Sequence, residues 1–211
     1  PHAINAPFTL SRFERGAVRI GPPAFGLADE DDRRAALEAI PNVQIVPLDV
    51  TDTASVAELA GEIGGKTDIL VNNARFVRPG GIMDRGDTVF ARDEMEVNYL
   101  GLMRLAQSFG PAMRGRGADG DNSAAAWVNI LSVYAYSNMP AFGAFSASNA
   151  AAYSLSQCLR AEMRPGGVRV MNVYTGPTDD AWHQPLPPPK VAPAALARAI
   201  VSGLKAMWRR T

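Results

Sequence analysis

From residue 29 onward, short apolar runs alternate with longer segments whose apolar residues recur every three or four positions. Apolar runs of four to eight residues between turn-forming residues read as buried strands, and the longer period reads as helices resting on them. The pattern predicts strands over residues 43–50 (VQIVPLDV), 68–72 (DILVN), 127–131 (WVNIL) and 168–174. It predicts helices over residues 31–40, 53–63, 98–113, 146–163 and 193–208, the second capped by Asp52 or Thr53. Strands that alternate with helices imply parallel pairing with helices on both faces, an α/β architecture. Residues 114–126 (RGRGADGDNSAAA) read as a surface loop, and PLPPP at 185–189 as a stiff extended connector.

Composition narrows this picture. With 211 residues, 47% of them apolar, the chain makes one well-buried domain over 1–211 rather than two. Its 21 basic and 21 acidic residues cancel, so it has no electrostatic footprint for nucleic acid or an anionic membrane, and a neutral small-molecule or protein partner suits it better. Cys158 lacks an internal disulfide partner and reads as a core or interface thiol in a reducing compartment. His2 and His183 lie far apart, so no metal site is expected. No long apolar run and no leader pattern is evident, which predicts a cytoplasmic protein.

The candidate chemistry lies in residues 132–149, SVYAYSNMPAFGAFSASN. Ser132 is followed thirteen residues later by Phe145 and four further on by Asn149. Residues four apart share a helix face, so Phe145 and Asn149 point together beside Ser132, at a strand end. Other fragments stand in order around it: LDVTD at 48–52, NNAR at 72–75, VNYLG at 97–101 and TGPT at 175–178.

Order and spacing, from about residue 29 to residue 199, resemble the short-chain dehydrogenase/reductase family, which implies a three-layer Rossmann-like doubly wound parallel sheet. The resemblance implies a cofactor, NAD or NADP, with Asp29 at the adenosine ribose and Asp49 and Val50 at the adenine. Asn72, Asn73, Ala74 and Arg75 would pass beside that cofactor, and Thr175 and Gly176 would turn around the nicotinamide. Ser132 would orient a substrate oxygen, Asn98 would hold a relay water, and residues 177–191, with Trp182 and His183, would line the substrate loop. Residues 100–113 and 146–163 would pack a homodimer or homotetramer.

Several positions depart from the family pattern. Phe145 stands where the family has its Tyr acid/base, and Asn149 where it has the Lys that pulls that phenol's pKa down. Arg75 replaces a Gly. At the start, residues 1–23 form an atypical segment without the Gly-rich turn that receives a pyrophosphate at a helix N-terminus. If residues 24–29 (AFGLAD) are the second strand, too little chain precedes them for a strand, a turn and a crossover helix, so the first βα unit reads as truncated or replaced. The C-terminal MWRRT stops short of the family's last strand.

The expected function is thus a family member impaired in hydride transfer that keeps a binding or assembly role. The alternative is a working oxidoreductase on a small carbonyl or alcohol, in which Tyr134, sharing an extended face with Ser132, replaces the missing phenol. Tyr136 is a second stand-in. A cofactor-free lyase or hydrolase is the third reading.

Overall fold

The computed structural model describes residues 8–11, 17–20, 39–84, 86–116, 126–179 and 188–208. In chain order these give β1 (Phe8–Ser11), β2 (Ala17–Ile20), β3 (Val43–Ile45), α1 (Thr53–Ile63), β4 (Ile69–Asn72) and α2 (Val89–Met95). A π-helical turn, Glu96–Leu100, leads into α3 (Gly101–Gly115), and β5 (Ala126–Ser132), α4 (Gly143–Met163), β6 (Arg169–Thr175) and α5 (Pro193–Trp208) complete the chain.

The six strands form one sheet in the order β3-β2-β1-β4-β5-β6. Its two faces are buried separately, which is why the strands read as continuous apolar runs. Leu70, Trp127 and Leu131 point to one face and join Val56, Leu105 and Phe109 from the helices in the main core. Ile69, Val71, Ala126 and Val128 point to the other, where Leu204 of α5 covers them. Burying a side chain such as Leu105 or Phe109 contributes about 1.5–3 kcal/mol. Gly101 lets α3 approach the turn after β3, since a Cβ there would lie 2.8 Å from Val50 Cγ2.

Several expectations change. The strand at 43–50 shrinks to Val43–Ile45, half exposed because it is the sheet edge, while Leu48 and Val50 are buried from the loop beyond it. Helix α4 starts at Gly143, three residues before the expected 146. Cys158 is exposed on α4 rather than buried in the core. Asp52 is the N-cap of α1, its carboxylate accepting from Ala54 N at 2.8 Å.

The chain start departs most. The remaining neighbours are parallel, but β1 runs antiparallel to both β2 and β4. The strand beside β3 is Ala17–Ile20, ahead of the expected 24–29, which with Asp29 and most of the expected 31–40 helix falls outside the described residues. Only residues 12–16 separate β1 from β2. A parallel crossover needs a dozen residues or more, whereas five suffice for a hairpin. The reversed strand follows from that length.

Candidate active site

The carboxyl ends of β4, β5 and β6 reach one edge of the sheet, the place where ligands sit in open α/β sheets. Asn72, Ser132 and Thr175 end these strands, and Ser132 and Thr175 are register partners. Helix α4 starts beside them.

Ser132 and Asn149 are joined directly. The Ser132 main-chain N–H donates to Asn149 Oδ1 at 2.9 Å, and Asn149 Nδ2 donates to the Phe145 carbonyl at 3.0 Å. Both polar ends of the Asn149 amide are therefore engaged inside the protein, where the residue is buried. Ser132 Oγ accepts from Tyr134 N at 3.2 Å and caps a short 3-10 turn, Val133–Ala135.

Asn98 plays a similar part from the π-helical turn. Its Oδ1 accepts from Phe76 N at 2.8 Å, and its Nδ2 donates to Phe76 O at 2.9 Å and to Ser148 Oγ at 2.8 Å. Ser148 Oγ in turn donates to Phe145 O at 2.9 Å. Asn98 thus ties the segment after β4 to α4. Nothing in the motif pattern marked Ser148, although it lies three residues after Phe145 and hence on the same helix face.

Phe145 is 4% exposed and packs with Val77 and Phe142 in a small apolar cluster that Tyr134 borders. The Tyr134 ring stacks on Phe142 with centroids 5.6 Å apart and meets Phe145 edge-on at 6.4 Å. Tyr134 therefore sits in a 3-10 turn and not in the extended segment that would align it with Ser132. The loop after β4 closes over this cluster, with Gly80 N donating to Ala141 O at 2.7 Å.

Around the adenine position, Asp49 Oδ1 accepts from Thr51 N at 2.8 Å and from Thr51 Oγ1 at 2.7 Å. The Val50 carbonyl accepts from Arg104 Nη1 at 3.2 Å. Asn72 and Ala74 are buried, Asn73 and Arg75 half-buried, and Asn72 Oδ1 has no hydrogen-bond partner among the described residues. Thr175 Oγ1 donates to Gly176 O at 2.9 Å. The ends of the 177–191 segment are clamped, with Asp179 N donating to Val191 O at 2.8 Å and Val191 N to Pro177 O at 2.9 Å. Trp182 and His183 lie outside the described residues.

Two groupings escaped the sequence reading because they join distant segments. Tyr136, Tyr153 and Tyr174 form a ring cluster with centroids 4.8–6.1 Å apart. Partial desolvation and the hydrogen bond with Tyr174 raise the Tyr136 pKa, and the hydrogen bond with Tyr136 raises that of Tyr153. Beneath them a polar ladder crosses the sheet. Trp127 Nε1 donates to Asn129 Oδ1 (2.8 Å), Asn129 Nδ2 to Asn172 Oδ1 (3.1 Å), and Asn172 Nδ2 to Ser156 Oγ on α4 (2.7 Å).

Chemically, the amide at 149 and the ring at 145 offer no proton to transfer and no cation to lower a phenol's pKa. The described residues also fit a dinucleotide poorly, since no helix can follow β1 within five residues to receive its phosphates.

A family model described as "short chain dehydrogenase" matches residues 25–189. The chain is 35% identical over 160 residues to the short-chain dehydrogenase PC-15 of Penicillium crustosum, covering 72% of this chain and 55% of that protein. It is 27% identical over 181 residues to a 3-ketodihydrosphingosine reductase of Dictyostelium discoideum, covering 77% and 53% respectively. The chain thus spans about half the length of the curated relatives it matches. Among solved structures it resembles a short chain dehydrogenase from Burkholderia cenocepacia in complex with NADP, with 34% identity, a TM-score of 0.68, and coverage of 80% of this chain and 66% of that one. The strand ends, the Ser132–Asn149 spacing and the match over most of the length agree, and the chain belongs to the short chain dehydrogenase family.

Proposed function

We propose that this chain keeps the family fold for a binding or assembly role and does not transfer hydride. The observation that carries this reading is the Asn149 amide, bonded at one end to the Ser132 N–H and at the other to the Phe145 carbonyl. A side chain so engaged supports the site as structure, and an amide carries no cation to lower a phenol's pKa. The burial of Phe145 among Val77 and Phe142 agrees with it, because the ring occupies an apolar cluster and not an open reaction site. The five residues between β1 and β2 also agree with it, being too few for the phosphate-receiving helix of the family pattern.

Isothermal titration with NAD(H) and NADP(H) tests this. No binding at micromolar concentrations is expected, and micromolar binding of either dinucleotide would overturn the reading. The competing reading, an NAD(P)-dependent oxidoreductase acting on a small carbonyl, draws support from the likeness to an NADP complex. It requires cofactor-dependent turnover on a carbonyl panel, and loss of that turnover in Tyr134→Phe would identify Tyr134 as its acid.

Assembly has support of its own. A groove of about 320 Å³ runs between α3 and α4, lined by Met103, Ala106 and Gly110 on one side and Leu155, Leu159 and Met163 on the other. We infer a homodimer or homotetramer contact on these two helices by likeness to the family, and small residues would let a second pair approach closely. Light scattering reporting a strict monomer up to 100-micromolar-order concentrations would remove this part of the proposal.

A further inference from the structure

Three of the five tyrosines gather at one place. Tyr136 ends the turn after β5, Tyr153 lies on α4 and Tyr174 on β6. Tyr136 is the central member, its ring centroid 4.8 Å from each of the other two, which are 6.1 Å apart. It hydrogen-bonds to both and is 57% exposed. Tyr134, by contrast, meets phenylalanine rings, which carry no phenol to oxidise.

The two neighbours of Tyr136 are held differently. The Tyr174 oxygen accepts from Asn172 Nδ2 at 3.3 Å, and that amide is itself fixed by Ser156 Oγ at 2.7 Å and Asn129 Nδ2 at 3.1 Å. The Tyr153 oxygen accepts instead from Gln157 Nε2 at 3.3 Å, at the end of a long, exposed side chain that gives way readily. The Tyr153 ring is therefore free to swing toward Tyr136, while the Tyr174 ring is pinned to the sheet. At 61° Tyr136 and Tyr153 meet edge to face, with centroids little farther apart than in two rings joined by one bond.

We propose that Tyr136 and Tyr153 form an oxidative modification site, at which a dissolved one-electron oxidant of the inorganic-radical class joins the two rings within one chain. Each phenol loses one electron and its hydroxyl proton, the electrons going to two equivalents of the oxidant and the protons to water. The two phenoxyl radicals then join through the ring carbons ortho to their oxygens. Each joined carbon passes its own proton to the oxygen of its ring, which restores both phenols. The net change is one new C–C bond and the loss of two hydrogens. That bond straps the turn that follows Ser132 to the helix that carries Asn149 and closes residues 137–152 into a covalent loop, which restricts the unfolded chain as a disulfide does. It depends neither on hydride transfer nor on the α3–α4 groove.

Photogenerated ruthenium(III) tris(bipyridine), a one-electron oxidant, tests the site on the whole chain with the exposed Cys158 thiol alkylated beforehand. Equal amounts of natural and heavy-isotope chains are mixed first, so that a link between chains yields peptides of mixed mass. The expected product is a monomer lighter by two hydrogens, with the blue emission of a bis-phenol, whose peptides join Tyr136 to Tyr153 in unmixed mass. Tyr136→Phe and Tyr153→Phe keep the rings and should each abolish it, whereas Tyr174→Phe should keep it. Links between chains only, a link to Tyr174 in place of Tyr153, a link that survives in Tyr136→Phe or Tyr153→Phe, or none at a dose that couples free N-acetyltyrosine would overturn the proposal.

Discussion

At the scale of single residues, Asn149 holds more than its exposure suggests. Replacing it by Ala leaves the buried Ser132 N–H without the partner it now has, while the Phe145 carbonyl keeps the Ser148 hydroxyl. An orphaned buried group costs about 1–3 kcal/mol, so Asn149→Ala is expected to lower the stability measured by urea unfolding by about that much. The tyrosine cluster gives a prediction with a sign. The phenols of Tyr136 and Tyr153 both have pKa values raised above the ordinary 10.0, Tyr136 by desolvation and its bond with Tyr174, and Tyr153 by its bond with Tyr136. A folded-state pKa above the unfolded one means the contribution is whole below the unfolded value and is lost as pH rises through the folded one. Absorbance titration near 295 nm should therefore show late-ionising tyrosines, and Tyr136→Phe should return Tyr153 toward its ordinary range.

At the scale of elements, the π-helical turn Glu96–Leu100 sets where α3 begins and delivers Asn98 to the loop after β4. Two main-chain groups of Phe76 depend on that one amide, which also donates to the Ser148 hydroxyl. Asn98→Ala should destabilise the protein by about 2–4 kcal/mol, since several buried groups lose partners at once. Hydrogen exchange in residues 76–80 should rise more than in β5, because the loop loses its anchor while the sheet does not. Gly101 makes a different demand. A methyl group there meets Val50 Cγ2 at 2.8 Å and Cβ at 3.1 Å, so Gly101→Ala is expected to cost about 1–3 kcal/mol by overpacking despite alanine's better helix propensity.

For the whole molecule, the mixed sheet matters most. On the proposed reading, restoring the family's side chains does not restore hydride transfer, because only five residues separate β1 from β2. The double variant Phe145→Tyr/Asn149→Lys is therefore expected to show no NAD(P)H consumption at 340 nm with a carbonyl panel. It should also be less stable than the parent, because a Lys ammonium replaces an amide whose two ends are bonded indoors. Measurable turnover in that variant would mean that the dinucleotide finds its phosphate contacts elsewhere.

Much of this protein was legible in the chain itself. Buried strands such as β5 and long helices such as α4 announce themselves because burial on both faces forces apolar runs, and packing on one face forces a 3.6-residue period. The positions of Ser132, Phe145 and Asn149 were readable for the same local reason, since residues four apart must share a helix face. Side-chain chemistry, too, is a property of composition: an amide and a phenyl ring have no proton to give. Tertiary structure decided what these residues touch. That Asn149 reaches the Ser132 N–H, that Tyr134 turns onto Phe142, and that Tyr136, Tyr153 and Tyr174 meet are contacts between distant segments, invisible to any local period. The direction of β1 was also hidden. A four-residue strand pairs either way, and five following residues became decisive only once both neighbours were known.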